Sequence, residues 1–203
     1  QSELDDHLQY DFYPRKSLLE HFFDNDLTLP MLTCGAAIER GDSVGAAFEA
    51  KLRRAVNKVQ LQLTRDGNAW GIPLKLTKAI TLEAGSSTLE IAYLIEGLPE
   101  NRPLHLALEW NFAGLPAGPE DRFFYSQQDG RLGTLDKRLD LSDSQQIGLA
   151  DQWRGIDVNL QFNRPTGIWA FPIATVSQSE AGYELVPQSV CVMPHWLIAG
   201  DRE

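Results

Sequence analysis

The chain has 203 residues and a mass of 22.7 kDa, with 43% hydrophobic and 23% charged residues. That apolar share excludes a disordered polymer, and the length suits one large domain, because all-β sandwiches reach this size as single units. With 18 Lys and Arg against 28 Asp and Glu, the net charge of -10 repels a phosphate backbone, and no basic run exceeds Arg53-Arg54, so nucleic acid is not an expected partner.

The first residues, Gln1-Ser2-Glu3-Leu4-Asp5-Asp6, are polar and acidic and do not read as a signal peptide. No apolar run approaches the roughly 18 residues of a membrane span. The expectation is a cytoplasmic protein with no membrane partner. The start on Gln rather than Met suggests a processed chain or one part of a longer protein.

Residues 16–23 place Leu18, Leu19, Phe22 and Phe23 at helical spacing, the main helical signal in the chain. From there period two takes over. Val59, Leu61 and Leu63 alternate with Gln60, Gln62 and Thr64; Leu74, Leu76, Ile80 and Leu82 follow. Leu89, Ile91, Tyr93 and Ile95 make a third run, then Leu104, Leu106, Leu108, Trp110 and Phe112 a fourth. Ile156, Val158, Leu160 and Phe162 make a late one. Successive strand side chains face opposite sides, so each run offers one apolar and one polar face, as in antiparallel sheets packed face to face. In this pattern Leu106, Leu108, Val158 and Leu160 point into the core, and His105 lies on a polar face as a solvated or hydrogen-bonded residue rather than a ligand.

Turns are expected at Asp66-Gly67-Asn68, Gly85-Ser86-Ser87, Pro99-Glu100-Asn101 and Asp129-Gly130, with a further turn over residues 143–146 and a Gly- and Pro-rich loop over 114–121. The reading is a single all-β domain over residues 1–203, an antiparallel β-sandwich with little helix. Cys34 and Cys191 are too few for a disulfide framework or a zinc cluster and read as two buried thiols, although one long-range bridge stays open. Asp24-Asn25-Asp26 lacks the spacing of a calcium loop and reads as a solvated turn.

Catalytic constellations are missing from the sequence. There is no Gly-x-Ser-x-Gly elbow, phosphate loop, His-Glu-x-x-His or Cys-x-x-Cys, and His7, His21, His105 and His195 are scattered. No catalytic residue, metal or cofactor is therefore assigned. Among five tryptophans, Trp70, Trp110, Trp153, Trp169 and Trp196, the one at Asp151-Gln152-Trp153-Arg154 stands out. An indole beside amide, carboxylate and guanidinium groups suits a sugar ring, whose C–H face stacks while its hydroxyls hydrogen-bond. Trp110, Trp169 and Trp196 read as core residues. The polar run Ser177-Gln178-Ser179-Glu180 could be a turn of no account, or a group converging on a ligand or a neighbouring domain.

Several of these stretches resemble one family. Residues 169–188, with Phe171-Pro172, Thr175-Val176-Ser177-Gln178-Ser179-Glu180, Gly182-Tyr183-Glu184 and Gln188, are similar to the C-terminal region of glycoside hydrolase family 57 α-amylases and 4-α-glucanotransferases. Arg15-Lys16-Ser17-Leu18-Leu19-Glu20-His21-Phe22, the Glu109-Trp110-Asn111 strand and residues 151–160 resemble that region in the same order. The resemblance implies a galactose-mutarotase-like sandwich behind a catalytic barrel that carries the nucleophile and acid. The expected role is a non-catalytic accessory domain that supports that barrel and touches α-glucan or oligosaccharide. Trp153, Arg154 and Glu180 are the candidate contacts with glucan or barrel, or else members of a structural ion pair. The alternatives are a stand-alone sugar 1-epimerase and a ligand-free structural domain.

Overall fold

A computed structural model describes residues 13–113, 115, 118–179 and 182–200, of which residues 178, 179 and 182–184 are described by backbone alone. Eleven strands carry the described chain: β1 Leu19–Phe23, β2 Glu49–Arg54, β3 Lys58–Ala69, β4 Ile72–Glu83, β5 Leu89–Glu96, β6 Leu104–Phe112, β7 Arg122–Ser126, β8 Gly130–Thr134, β9 Leu139–Asp151, β10 Ile156–Ser179 and β11 Gly182–Ile198. One short helix, α1 Leu29–Thr33, accompanies them. The chain is all-β with antiparallel sheets, as its alternation predicts. No helix among the described residues is long and apolar enough to cross a membrane.

The strands form a seven-stranded sheet ordered β1-β6-β11-β10-β9-β7-β8 and a four-stranded sheet ordered β2-β3-β4-β5. Contacts divide the chain into two compact units. The first is centred on Leu106–Trp196 with Asp26–Ala37, and the second on Ile38–His105 with His21–Asn25. The core of the first unit comes from alternate residues of its strands: Phe124, Ile147, Leu149, Ile168, Ala170, Val190 and Val192 are wholly buried. Leu106 and Leu108 are buried as expected, whereas Val158 and Leu160 are half-buried, Leu160 packing on the edge of this cluster.

In the second unit, one face of the four-stranded sheet is apolar in continuous cross-strand rows. Leu52, Leu61, Ile80 and Ile91 are register partners in sequence, as are Val59, Leu82 and Leu89. Leu52 is 53% exposed and Leu89 is 54% exposed, so this end of the face is open.

Several expectations are corrected. The apolar residues at 16–23 build no helix, because Leu19–Phe23 is strand β1 with Glu20, His21, Phe22 and Phe23 all buried. A strand buried on both faces loses its alternation and mimics helical spacing. The Asp66-Gly67-Asn68 segment is no turn but part of β3. Gly67 is needed there because Asp42 comes close: a Cβ would fall 2.8 Å from Asp42 Oδ1, which accepts from Asn68 N. The hairpin closes instead at Trp70-Gly71, both at positive φ (57° and 75°), the combination that a two-residue turn matching strand twist requires. Trp70 is held there by Arg40 and Arg102, whose guanidiniums lie 4.5 and 5.0 Å from its ring centroid.

The turn expected at 143–146 falls inside β9, where Asp143 has φ 52° and the pairing with β10 slips, so the polar signal marks a bulge. Of the two readings of His105, the structure has the hydrogen-bonded one: the ring is buried, its Nδ1–H donating to Asp24 O at 3.0 Å. Of the two thiols, Cys191 is buried but Cys34 is exposed, at the end of α1. The remaining turns, at residues 85–87, 99–101 and 129–130, separate strands as expected.

Candidate functional site

The turn at residues 152–155 joins β9 to β10 where Asp151 pairs with Ile156. Its anchor is the Asp151 carboxylate, whose side chain is completely buried. Arg154 N donates to Oδ1 at 2.9 Å and Arg122 Nε to Oδ2 at 2.9 Å, with Arg154 Nε 3.9 Å from the same oxygen. Burial alone would raise this carboxyl's pKa; the Arg154 amide and the two guanidiniums outweigh it and hold it below the ordinary carboxylate range. Gln152 N donates to Asp121 O at 3.0 Å, and Gly155 at φ 65° completes the reversal. The rigid turn holds Trp153 outward, 81% exposed, with the Arg154 side chain half-exposed beside it.

Trp153 and Arg154 are thus neighbours on one fixed turn, where the Arg154 guanidinium approaches Asp151 at 3.9 Å. Glu180 lies outside the described residues. Trp169 is buried and stacks on His195 at 3.9 Å, and Trp196 donates Nε1–H to Thr166 Oγ1 at 2.9 Å, so both serve packing.

Beside the turn opens a cleft of about 480 Å³, lined by Phe123, Tyr125, Ala150, Asp151, Gln152, Gly155, Ile156 and Asp157. Its aromatic wall was not read from the sequence. Phe123 and Tyr125 sit two residues apart on β7, opposite Ala150 and Gly148 of β9. Because Gly148 has no side chain, the Tyr125 ring lies across it: a Cβ there would fall 2.1 Å from Cζ. The phenol donates to Asp157 Oδ1 at 2.6 Å and accepts from Asn159 Nδ2 at 3.3 Å. Burial first, and the Asp157 hydrogen bond second, raise the Tyr125 pKa, so the ring stays a neutral donor. Arg131 covers Phe123 at 4.6 Å. The one available sequence signal was Phe123-Phe124-Tyr125 followed by Asp129-Gly130, an aromatic strand before a turn.

A second polar cluster joins two of the motifs noted in the sequence. Glu109 is wholly buried and accepts from Tyr13 Oη at 2.6 Å, Arg15 Nη1 at 3.2 Å and Asn111 Nδ2 at 2.6 Å. Ser17 Oγ donates to Asn111 O at 3.2 Å, and Asn111 Nδ2 reaches Lys16 O at 2.8 Å. These hydrogen bonds fasten residues 13–17 to β6. Their chemistry is that of a structural clasp.

Comparison with known proteins gives a consistent set. The family described as Alpha-amylase/4-alpha-glucanotransferase, C-terminal, matches residues 1–203. An α-amylase of Pyrococcus abyssi is 24% identical over 90% of this chain and 24% of its own length. A 4-α-glucanotransferase of Thermococcus kodakarensis is 24% identical over 96% of the chain and 26% of its own length. The crystal structure of 4-α-glucanotransferase from Thermococcus litoralis superposes with a TM-score of 0.74 and 25% identity, over 97% of this chain and 28% of that one. The chain therefore spans about a quarter of the length of the curated relatives it matches. Their names disfavour a stand-alone epimerase.

Proposed function

Because this chain belongs to the α-amylase/4-α-glucanotransferase C-terminal family, we propose that it is the non-catalytic accessory domain of a larger α-glucan-acting hydrolase or transferase. The observation that carries this reading is that the family match fills the whole chain yet only about a quarter of each relative. A catalytic region in the remaining length is the partner. The open apolar face of the four-stranded sheet supports docking against it, since exposed apolar patches of this kind are otherwise a cost in water. Trp153 and Arg154 are the groups offered to glucan, the indole to a sugar face and the guanidinium to hydroxyls. Cys34, an exposed thiol, suits a reducing compartment such as the cytoplasm.

Two measurements test the reading. Purified chain incubated with maltoheptaose is expected to release no product; turnover lost on substituting one of its own carboxylates would overturn the non-catalytic assignment. The parent open reading frame is expected to run several hundred residues further. A frame that ends with this chain would leave the domain without a catalytic host. Anomerisation of glucose by the pure chain would favour the epimerase alternative.

A further inference from the structure

We infer that the Tyr125 ring, laid across Gly148 and tethered to Asp157, is a stacking platform for one pyranose ring of an α-glucan chain. The ligand class rests on the accessory-domain reading; the platform rests on geometry alone. A tyrosine in a strand normally stands off the sheet. Here the register opposes it to a glycine, and the ring folds over that gap to reach β10 with its hydroxyl. It is held at both ends: by its own strand, and by Asp157 and Asn159.

Fixing a ring this way removes rotamer freedom before a ligand arrives, which lowers the entropy lost on binding. Asp157 and Asn159 are themselves exposed, and each keeps hydrogen-bonding capacity beyond the phenol. A flat aromatic surface edged by a carboxylate and an amide matches the two sides of a sugar, its C–H face and its rim of vicinal hydroxyls. The cleft is a shallow one that runs to Gln152 and Gly155, the two neighbours that flank the Trp153–Arg154 pair. A chain of sugars crossing Tyr125 would therefore extend toward the exposed indole at its rim.

The competing explanation is that the ring merely shields the Gly148 backbone, as aromatic residues do for strand glycines. Binding separates the two. Titrating the chain with maltoheptaose and, separately, cellohexaose by NMR should shift backbone resonances of Tyr125, Gly148 and Asp157 with maltoheptaose, in the millimolar range. Tyr125→Ala should weaken binding about tenfold or more, and Tyr125→Phe, which keeps the face and loses the tether, only a few-fold. Gly148→Ala should displace the ring and act like Tyr125→Ala. A strand-type circular dichroism spectrum and unchanged core methyl resonances establish that each variant is folded.

Wild-type binding that survives both Tyr125→Ala and Gly148→Ala would overturn the platform while leaving glucan contact at Trp153 standing. Binding of cellohexaose alone would overturn the α-glucan assignment. No binding of either sugar would overturn the platform too, whereas the accessory role stands or falls by the parent reading frame and the turnover assay.

Discussion

The Tyr13 hydroxyl donates to Glu109 Oε2 at 2.6 Å across 96 positions of sequence, and it does so to a carboxylate with no exposure to water. Burial, then the Glu109 charge and hydrogen bond, push the phenol far above its ordinary pKa, so the proton stays on tyrosine. Arg15 supplies the countercharge from a position that is one-quarter exposed. The pair explains why an Arg-x-Ser stretch and a Glu-x-Asn strand occur together in one sequence: they are the two halves of one clasp.

Removing the acceptor should therefore be costly. Glu109→Ala leaves Tyr13 and Asn111 without their carboxylate, and should cost about 3 kcal/mol, at the low end for a broken buried pair because Arg15 can hydrate. Glu109→Gln keeps a carbonyl acceptor and should cost only about 1 kcal/mol. Urea denaturation checks both. Losses below about 0.5 kcal/mol for the alanine variant would show that the clasp contributes nothing to stability.

Core truncations should follow burial rather than apparent alternation. Leu149, wholly buried in the first unit, should cost about 2–5 kcal/mol on Leu149→Ala. Val158→Ala, at a half-buried site, should cost clearly less. Equal losses at the two positions would contradict the packing described.

The strand faces were legible wherever one side meets core and the other meets water, as in β4, where Leu74 and Leu76 are buried and Pro73 and Lys75 are exposed. They were illegible where that asymmetry fails. β1 is buried on both sides and so looked helical, and Gly67 looked like a turn because the reason for it, Asp42, lies 25 residues away in sequence. The site divides in the same way. Trp153 and Arg154 announce themselves beside a local turn, but the Tyr125–Gly148 pairing depends on the register of β7 against β9, which no local pattern encodes. A strand glycine on its own reads only as a weakness.

We propose that the chain unfolds as one domain, because all-β domains of about 200 residues are commonly single cooperative units. Calorimetry should show one transition whose calorimetric and van't Hoff enthalpies agree. Two resolved transitions would establish two domains.

Acid should weaken the fold through His105. Its ring is buried, its Nδ1–H is committed to Asp24 O at 3.0 Å, and it meets the Phe23 ring edge-on. The Asp24 carboxylate itself is engaged by Arg40 Nε and Nη2 at 3.0 and 2.9 Å. Burial depresses the imidazole pKa below 6.5, with the Asp24 hydrogen bond only partly opposing it. The unfolded chain then binds the proton more readily than the folded one, so the stability from neutral His105 is complete above about pH 6.5 and is lost as pH falls through the lower folded value. Between those two values one proton of difference steepens the loss by at most about 1.4 kcal/mol per pH unit. Urea midpoints measured from pH 7.5 down to 5 should fall more steeply for the wild type than for His105→Asn, whose amide donates to the same carbonyl without titrating. The two proteins differ only at this side chain, so the difference between their curves reports His105. Parallel curves would show that His105 takes no part in the acid response.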